Sequence, residues 1–356
     1  MRRIYFIRHG MPDFPEAGHY CLGQTDMPMG NLGRLQCCIL QRQFSNIKLE
    51  KVFTSPLSRA ADTARYISQN PVRHDGLMEM YAGEWDGFCF RDIKEKWPEL
   101  YERRGSDPNI PIPGAEDVID GQRRFVSAVK DCLNASDGDI AIVAHSTVMQ
   151  SFIAYILGTS PRQSRQYKLP YCSYTVADYD GSFHLVSLGT RSEAEMDEEL
   201  CLRLMEASGV GERVIRHCGA VAVKAADISS ELNKNGYELD GEKLKFAALL
   251  HDIARAGKNH PQKGAEWLRN LGYDELADIV AQHHDFSGRE INEAAVLYIA
   301  DKMVRETETV SIDERFRASA GKCKSPEAAA AHDRRYHNAI YIRDKINSIC
   351  RGEIIK

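Results

Sequence analysis

Two arginines and two histidines stand where short apolar runs give way to polar turns in the first half of the sequence. Arg8 and His9 follow the first run, Arg59 comes shortly after the second, and His145 directly follows the third. Because the carboxyl ends of parallel strands meet at one edge of an open α/β sheet, these side chains can converge on a single anion. Guanidinium groups match phosphoryl oxygens, and a neutral imidazole is a nucleophile near pH 7. The pattern therefore indicates phosphate chemistry.

A second group of residues suggests a metal site. Five of the twelve histidines lie between residues 217 and 284, in a segment otherwise rich in helix formers. His251 and Asp252 follow an apolar run near a predicted helix end, where they could bind one cation. His217 lies on the preceding predicted helix and Asp301 on a later one, so a shared site requires these helices to pack together. Imidazole and carboxylate ligands suit a divalent transition metal such as Fe, Mn, Zn, Ni or Co.

The elements that must position the first group have the rhythm of an α/β sheet. Apolar runs at residues 4–7, 51–54 and 140–144 alternate with helical patterns. The turn Asp180-Gly181, between runs at 174–178 and 183–186, predicts an antiparallel hairpin at the edge of the sheet. We expect an α/β N-terminal domain with a mostly parallel sheet flanked by helices.

Local signals add detail to both halves. Ser55 is the predicted N-cap of the helix that carries Arg59, with Pro56 in its first position. From Glu193 onward nearly all of the sequence has helical periodicity, which predicts an all-α C-terminal domain. The predicted helices in this part of the chain span residues 212–232, 242–254, 260–271 and 292–306.

Length and composition bound the class of protein. A chain of 356 residues suits two domains of roughly 100–200 residues each, which we place at residues 1–190 and 197–356. No run approaches the roughly 18 apolar residues of a membrane span, and Arg8 interrupts any signal-peptide core. The 46 basic and 51 acidic residues leave neither half with a strong basic excess, which argues against nucleic acid as a partner. Scattered cysteines without a C-x-x-C pair fit a reducing cytoplasm.

The first half resembles the histidine phosphatase superfamily, also called phosphoglycerate mutase-like, over roughly residues 1–188. The short branch that includes α-ribazole phosphatase is the most similar in pattern. The motifs that carry the resemblance occur in family order: Arg8-His9-Gly10, Gly23-x-x-Asp26, Ser55-Pro56-Leu57-x-Arg59-Ala60, Glu79 before Gly83-x-Trp85-x-Gly87, Pro113-Gly114-x-Glu116 and Ala144-His145.

This resemblance implies a role for each site residue. His9 would be the nucleophile that becomes phosphorylated, Arg8, Arg59 and His145 would bind the phosphoryl group, and Glu79 would be the general acid. No metal or other cofactor is expected in this half. The chain departs from the family pattern after both histidines, where Met11-Pro12 and Ser146-Thr147 stand, so the substrate contacts there are not carried over.

The second half resembles the HD-domain phosphohydrolase superfamily over a core of about residues 205–308. The family order is His, then His-Asp, then optional histidines, then Asp. The resemblance implies that the ligands are His217, His251, Asp252, His260, His283 and Asp301. Four of them would hold one ion, and His260 with His283 would suit the two-ion subset, which includes some nucleotide hydrolases. His284 could replace or supplement His283.

These observations lead us to expect a bifunctional phosphohydrolase. The first domain would hydrolyse a small phosphorylated metabolite through phosphohistidine, and the second would be a metal-dependent phosphohydrolase acting on a phosphate ester or nucleotide. An alternative is an active phosphatase joined to a non-catalytic HD module that senses a ligand or metal. A mutase is a further alternative for the first domain, although the long insertion that mutases use is missing from the sequence.

Overall fold

The computed structural model describes residues 1–15, 18–321 and 323–355. The chain forms two compact units, Met1–Ala194 and Glu195–Lys356. Among the described residues, no helix has both the length and the apolar character needed to cross a membrane.

The first unit is an α/β domain built on a six-stranded sheet with the order β3-β2-β4-β1-β5-β6. Its strands are β1 (Arg2–Arg8), β2 (Lys51–Thr54), β3 (Val72–Arg73), β4 (Ile140–Ala144), β5 (Tyr174–Tyr179) and β6 (Phe183–Thr190). Its helices are α1 (Asn31–Phe44), α2 (Ser58–Arg65), α3 (Phe90–Lys96), α4 (Pro98–Ser106), α5 (Val118–Asn134) and α6 (Ser146–Ile156). Strands β3, β2, β4 and β1 run parallel, whereas β5 and β6 are antiparallel.

The centre of the sheet follows from the apolar runs of the sequence. All five residues of β4 are buried, as expected of a parallel strand covered on both faces. Side chains alternate between the two faces: Ile4 and Phe6 of β1 join one hydrophobic cluster, and Ile7 joins the other. The predicted hairpin around Asp180-Gly181 is confirmed by the pair β5 and β6. The sheet is thus mostly parallel with an antiparallel edge, as predicted.

The second unit is largely helical. It contains α7 (Glu198–Ala207), α8 (Glu212–Lys234), α9 (Gly241–Leu250), α10 (His260–Asn270), α11 (Asp274–Val280), α12 (Glu293–Lys302), α13 (Ile312–Ala320) and α14 (Pro326–Ile349), with two short strands, β7 (Val304–Arg305) and β8 (Glu308–Thr309). The long helix α8 packs against α9 and α12, which brings distant parts of the sequence together.

Three local predictions were wrong in detail. The helix carrying Arg59 begins at Ser58 with Leu57 as its N-cap, so Ser55 lies before the helix. The helix predicted to reach residue 254 ends at Leu250, and turns follow it. The helix predicted to reach residue 306 ends at Lys302, because the chain then forms the β7–β8 hairpin.

Candidate active site and candidate metal centre

His9 lies directly after β1 and is almost completely buried, with 3% of its surface exposed. Its Nδ1 is 2.7 Å from the carbonyl oxygen of Gly10, an arrangement in which Nδ1–H donates and Nε2 keeps its lone pair. Burial, followed by the nearby Arg59 and Arg8 charges, lowers the pKa of His9 well below its usual value. The imidazole is therefore neutral at physiological pH, which is the nucleophilic form.

His145 faces His9 from the end of the neighbouring strand β4. The two ring centroids are 4.9 Å apart, and His145 Nε2 is 2.8 Å from the hydroxyl oxygen of Ser55. Its Nδ1 is buried and has no hydrogen-bond partner among the described residues. Burial and then Arg59 lower the pKa of this imidazole well below its usual value.

Two arginines, the half-buried Arg8 and the buried Arg59, place their charges near His9. Arg8 donates to the carbonyl of Leu169 at 2.6 Å, and Arg59 donates to the carbonyls of Thr25 and Gly23 at 2.9 and 2.7 Å. The Nε atom of each arginine is buried without a partner in the described part of the chain, where neither has a carboxylate within ion-pair distance. Burial lowers the pKa of both groups. Buried cations without an acidic partner fit an anionic ligand, since an uncompensated buried charge is costly.

Glu79 is held by the amino end of α6, the helix that follows His145. Its Oε1 accepts hydrogen bonds from the backbone N–H groups of Met80 and Val148, and its Oε2 accepts one from Thr147, all at 2.9 Å. These three donors fix the position of the carboxyl group at the start of α6. Oε2 has one of these contacts and Oε1 has two, so Oε2 has more capacity for a further hydrogen-bond partner.

The structure adds two residues that the sequence did not assign to the site. Tyr171 stacks on Arg8, with the guanidinium carbon 3.7 Å from the ring centroid, and its ring lies 5.6 Å from that of His9. Ser55 is the hydrogen-bond partner of His145. Tyr171 lies in the loop before β5, and a tyrosine at that position carries no spacing signal that would have identified it.

In the second unit, six predicted ligands come together as one histidine–aspartate cluster: His217, His251, Asp252, His260, His283 and Asp301. Two triads within it have potential ligand atoms within 4.8 Å of one another. One contains His217 and His251, the other contains His260 and His283, and Asp252 belongs to both. Asp252 Oδ1 is 3.1 Å from His260 Nε2 and 3.6 Å from His283 Nε2. A carboxylate shared by two triads suits two ions better than one.

Asp301 lies on the side of His217 and His251. Its Oδ1 is 3.1 Å from His217 Nε2 and 3.7 Å from His251 Nε2, and its Oδ2 accepts a hydrogen bond from Lys302 at 2.7 Å. Burial alone would raise the pKa of Asp301, but Lys302 and the two histidines hold it well below its usual value. The carboxylate is therefore ionised, as a metal ligand must be.

The outer nitrogens of three histidines are held by backbone carbonyls. Nδ1 of His251 lies 2.7 Å from the oxygen of Ala248, Nδ1 of His283 lies 2.7 Å from that of Val280, and Nδ1 of His217 lies 3.0 Å from that of Glu306. This contact directs each Nε2 into the cluster, as second contacts do for metal-binding histidines.

His251 Nε2 provides a test of whether the cluster fits a cation. This nitrogen is buried and makes no hydrogen bond within the described residues, and the nearest carboxylate oxygens, of Asp301 and Asp252, are 3.7 and 3.8 Å away. A buried nitrogen lone pair that faces carboxylate oxygens needs a cation between them, and a metal ion fits that position. His284, by contrast, belongs to neither triad, and burial followed by the Lys302 charge lowers its pKa to about 3.

Comparison with known proteins agrees with this division. Residues 4–189 match the histidine phosphatase superfamily (branch 1), and residues 214–306 match the HD domain. The first match contains His9 and its surrounding residues, and the second contains the histidine–aspartate cluster.

Individual relatives match the first unit. Phosphoserine phosphatase 1 of Hydrogenobacter thermophilus is 22% identical over 182 residues, which cover 49% of this chain and 86% of that protein. An uncharacterized protein of Methanocaldococcus jannaschii is 33% identical over 134 residues, covering 31% and 79% respectively. Among solved structures, the α-ribazole phosphatase from Shigella flexneri aligns with a TM-score of 0.48 at 24% identity, over 55% of this chain and all of that one.

The family match to the first unit covers more than half of the chain and includes the residues around His9. The chain therefore belongs to the histidine phosphatase superfamily (branch 1), carries an HD domain in its second unit, and is a phosphohydrolase.

Proposed function

We propose that the chain is a bifunctional phosphohydrolase. The first unit would hydrolyse phosphomonoesters through a phosphohistidine intermediate, and the HD unit would hydrolyse phosphate esters or nucleotides with a bound metal. The first activity is supported by three buried nitrogens near His9 that have no hydrogen-bond partner among the described residues. They are Nε of Arg8, Nε of Arg59 and Nδ1 of His145. They offer donors where the oxygens of a phosphoryl group would lie.

In the first step, Nε2 of His9 forms a bond to phosphorus while the bond from phosphorus to the ester oxygen breaks. Arg8, Arg59 and His145 stabilise the charge on the phosphoryl oxygens. Glu79 gives a proton from Oε2 to the departing alkoxide. In the second step, water loses its proton to Glu79, its oxygen bonds to phosphorus, and the N–P bond breaks to release inorganic phosphate. The cycle returns neutral His9 and protonated Glu79.

In the HD unit, the ligands would be the six members of the histidine–aspartate cluster, with Asp252 shared between two ions. The bound metal would lower the pKa of a water molecule and stabilise charge at phosphorus. His217, His251, His260 and His283 would bind the metal, and backbone carbonyls hold the rings of three of them, His217, His251 and His283. Lys302 fixes Asp301 as an ionised ligand through a 2.7 Å contact.

The substrates we propose are small phosphorylated metabolites for the first unit and a nucleotide or other phosphate ester for the HD unit. One relative is named for phosphoserine, which makes phosphoserine a suitable first probe. A cytoplasmic location suits the chain, because its ten cysteines are free thiols and most of them are buried.

The experiment separates the two activities in the full-length protein. Chelation with EDTA should abolish the metal-dependent activity and leave phosphorylation of His9 intact. The variant His9→Ala should lose acid-labile phosphate in a rapidly quenched reaction and keep metal-dependent hydrolysis, whereas a variant carrying His251→Ala and Asp252→Ala should behave in the opposite way. His184→Ala, a change at an exposed histidine of β6, is the control for the first site.

Two results would contradict the proposal. Full metal-independent phosphatase activity in His9→Ala would exclude the nucleophile. An HD unit that binds metal but hydrolyses no phosphate ester, anhydride or nucleotide would instead favour a sensing module.

A further inference from the structure

Three members of the histidine–aspartate cluster, His217, Asp252 and Asp301, line a cavity in the HD unit. The cavity has a volume of about 820 Å³, within the range of sites that hold nucleotides and other drug-sized ligands and far larger than one phosphate group needs. Asp252 and Asp301 lie on its cluster side. Another part of the lining comes from α13 and α14, which contribute Arg315, Phe316, Ser319, His332 and Arg335.

The cavity carries more positive charge than its own acids neutralise. Six basic side chains line it: Arg213, Arg255, Lys302, Arg305, Arg315 and Arg335. Besides Asp252 and Asp301, the two candidate metal ligands, one further acidic residue, Glu306, lines the cavity. Arg213 pairs with Glu306, while Arg255 and Lys302 contact the cluster carboxylates. These three cations therefore already have partners.

Arg305, the fourth, is exposed. Arg315 and Arg335 are half-buried and differ from these four. Arg315 is half-buried and has no carboxylate within ion-pair distance among the described residues. Arg335 has a partner in Asp285 at 3.6 Å, a distance too long for a hydrogen bond, and Asp285 is 70% exposed. Both guanidinium groups thus retain donors for a ligand in the cavity.

The two helices that carry these arginines are fixed against each other. Phe316 of α13 packs against His332 and Tyr336 of α14, with ring centroids 5.1 and 5.3 Å apart. The Tyr336 hydroxyl donates to Asp313 at 2.6 Å. Ser319 and His332 are hydrogen-bonded at 2.9 Å. Such contacts hold arginines in place before a ligand binds, which reduces the entropy cost of binding.

We propose that Arg315 and Arg335 form a distal anion subsite, and that the HD unit therefore takes a substrate with at least two linked phosphates, such as a phosphoanhydride or nucleoside polyphosphate. This proposal rests on the proposed hydrolytic function of the HD unit and specifies its substrate class. The phosphate to be cleaved would lie at the histidine–aspartate cluster and the next phosphates at the two arginines, which bind phosphate bidentately. Water supplies the new P–O bond, the bridging P–O bond breaks, and the proton of the water passes to the departing phosphate.

The test compares the binding of inorganic tripolyphosphate and orthophosphate to the full-length protein by calorimetry. Both anions can also reach the first unit, so the comparison is made between variants that differ only in the HD unit. Replacing Arg315 and Arg335 by Gln should weaken tripolyphosphate binding by roughly tenfold per arginine and orthophosphate binding by less than about threefold. The matched control replaces Arg317 and Arg334, exposed arginines of the same two helices that do not line the cavity, and should leave both affinities unchanged.

Each outcome distinguishes the subsite from the proposed function. Unchanged tripolyphosphate binding in the Arg315 and Arg335 variant, or equal losses for both anions, would overturn the subsite. A selective loss without any metal-dependent hydrolysis in the parent protein would support the subsite and reject only catalysis. Thermal melts of each variant check folding, and Arg315→Lys with Arg335→Lys, which keeps the charge but removes bidentate binding, should give an intermediate loss.

Discussion

The guanidinium carbon of Arg8 lies 3.7 Å from the centre of the Tyr171 ring, and the same ring packs beside His9. A cation at this distance from an aromatic face is stabilised by about 0.5–2 kcal/mol, depending on how far it is removed from water. Arg8 is half-buried, and its Nε atom is fully buried. This contact restricts the orientation of the Arg8 guanidinium group, so we expect Tyr171 to be a positioning residue for Arg8.

We expect Tyr171→Ala to lower kcat/KM for phosphomonoesters roughly three- to thirtyfold, since the guanidinium loses its aromatic partner. Tyr171→Phe keeps the ring and should retain most of the activity. Steady-state kinetics and inhibition by inorganic phosphate measure the effect, and phosphate should bind more weakly to the alanine variant in parallel. If Tyr171→Phe and Tyr171→Ala lower kcat/KM equally, the hydroxyl group is responsible and the proposed stacking role is wrong.

The buried environment of His9 predicts its titration. Its pKa is lowered well below the usual value of about 6.5, so the neutral form persists as the pH falls through that value. In the phosphate-free protein, the ¹⁵N signals of His9, assigned with His9→Ala, should remain those of a neutral ring from pH 8 to pH 5.5. The same histidine in urea-unfolded protein is the control and should titrate near 6.5. A folded-state transition at or above pH 6.5 would contradict the burial argument.

The sequence predicted that the two histidines of the first candidate site come together, because strand ends determine their positions. His9 and His145 follow neighbouring parallel strands, and that topology alone brings them to one edge of the sheet. Tyr171 could not be predicted, because its contact with Arg8 depends on the path of a loop that has no periodic pattern. The role of Ser55 was misjudged for a related reason: the turn extends to Leu57 before α2 begins, and the Ser55 hydroxyl contacts the Leu57 N–H and His145 instead of capping the helix.

In the HD unit, the sequence predicted which residues could bind metal but not how these residues group into two triads. The two triads and their shared Asp252 depend on how α8, the end of α9, α10 and α12 pack, and spacing along the chain does not define those crossings. The sequence also could not predict that the arginines of α13 and α14 line a cavity, because charged residues on amphipathic helices usually face solvent. Only the folded unit shows that Arg315 and Arg335 line the same cavity as Asp252.

Glu79→Gln should affect both stability and leaving-group dependence. The amide cannot accept all three backbone hydrogen bonds that the carboxylate accepts, so we expect a loss of about 1–3 kcal/mol in the free energy of unfolding. An alkyl phosphate needs protonation of its leaving group, and its turnover should fall by about 10²–10⁴-fold. An activated aryl phosphate should be affected much less.

Comparison of the two substrates separates the chemical role of Glu79 from its structural one. Displacement of α6 would impair both substrates to the same extent, because both need His145 and the phosphate donors. Equal losses for alkyl and aryl phosphates would therefore remove Glu79 as the acid and leave it as a contact that holds the start of α6.

The shared position of Asp252 predicts the number of metal ions and which histidine controls the second one. After loading with Mn²⁺ or Fe²⁺ and removal of excess metal, the full-length protein should contain close to two ions per chain by plasma mass spectrometry. A variant carrying His260→Ala and His283→Ala should retain one ion or none, because these residues form the second triad with Asp252. The control is His284→Ala, which changes the histidine next in sequence to a ligand but outside both triads, and it should keep two ions. If the unmodified protein holds one ion and the double variant also holds one, the ligands are a single-metal set of His217, His251, Asp252 and Asp301. If His284→Ala loses an ion, His284 and not His283 is the ligand of the second ion.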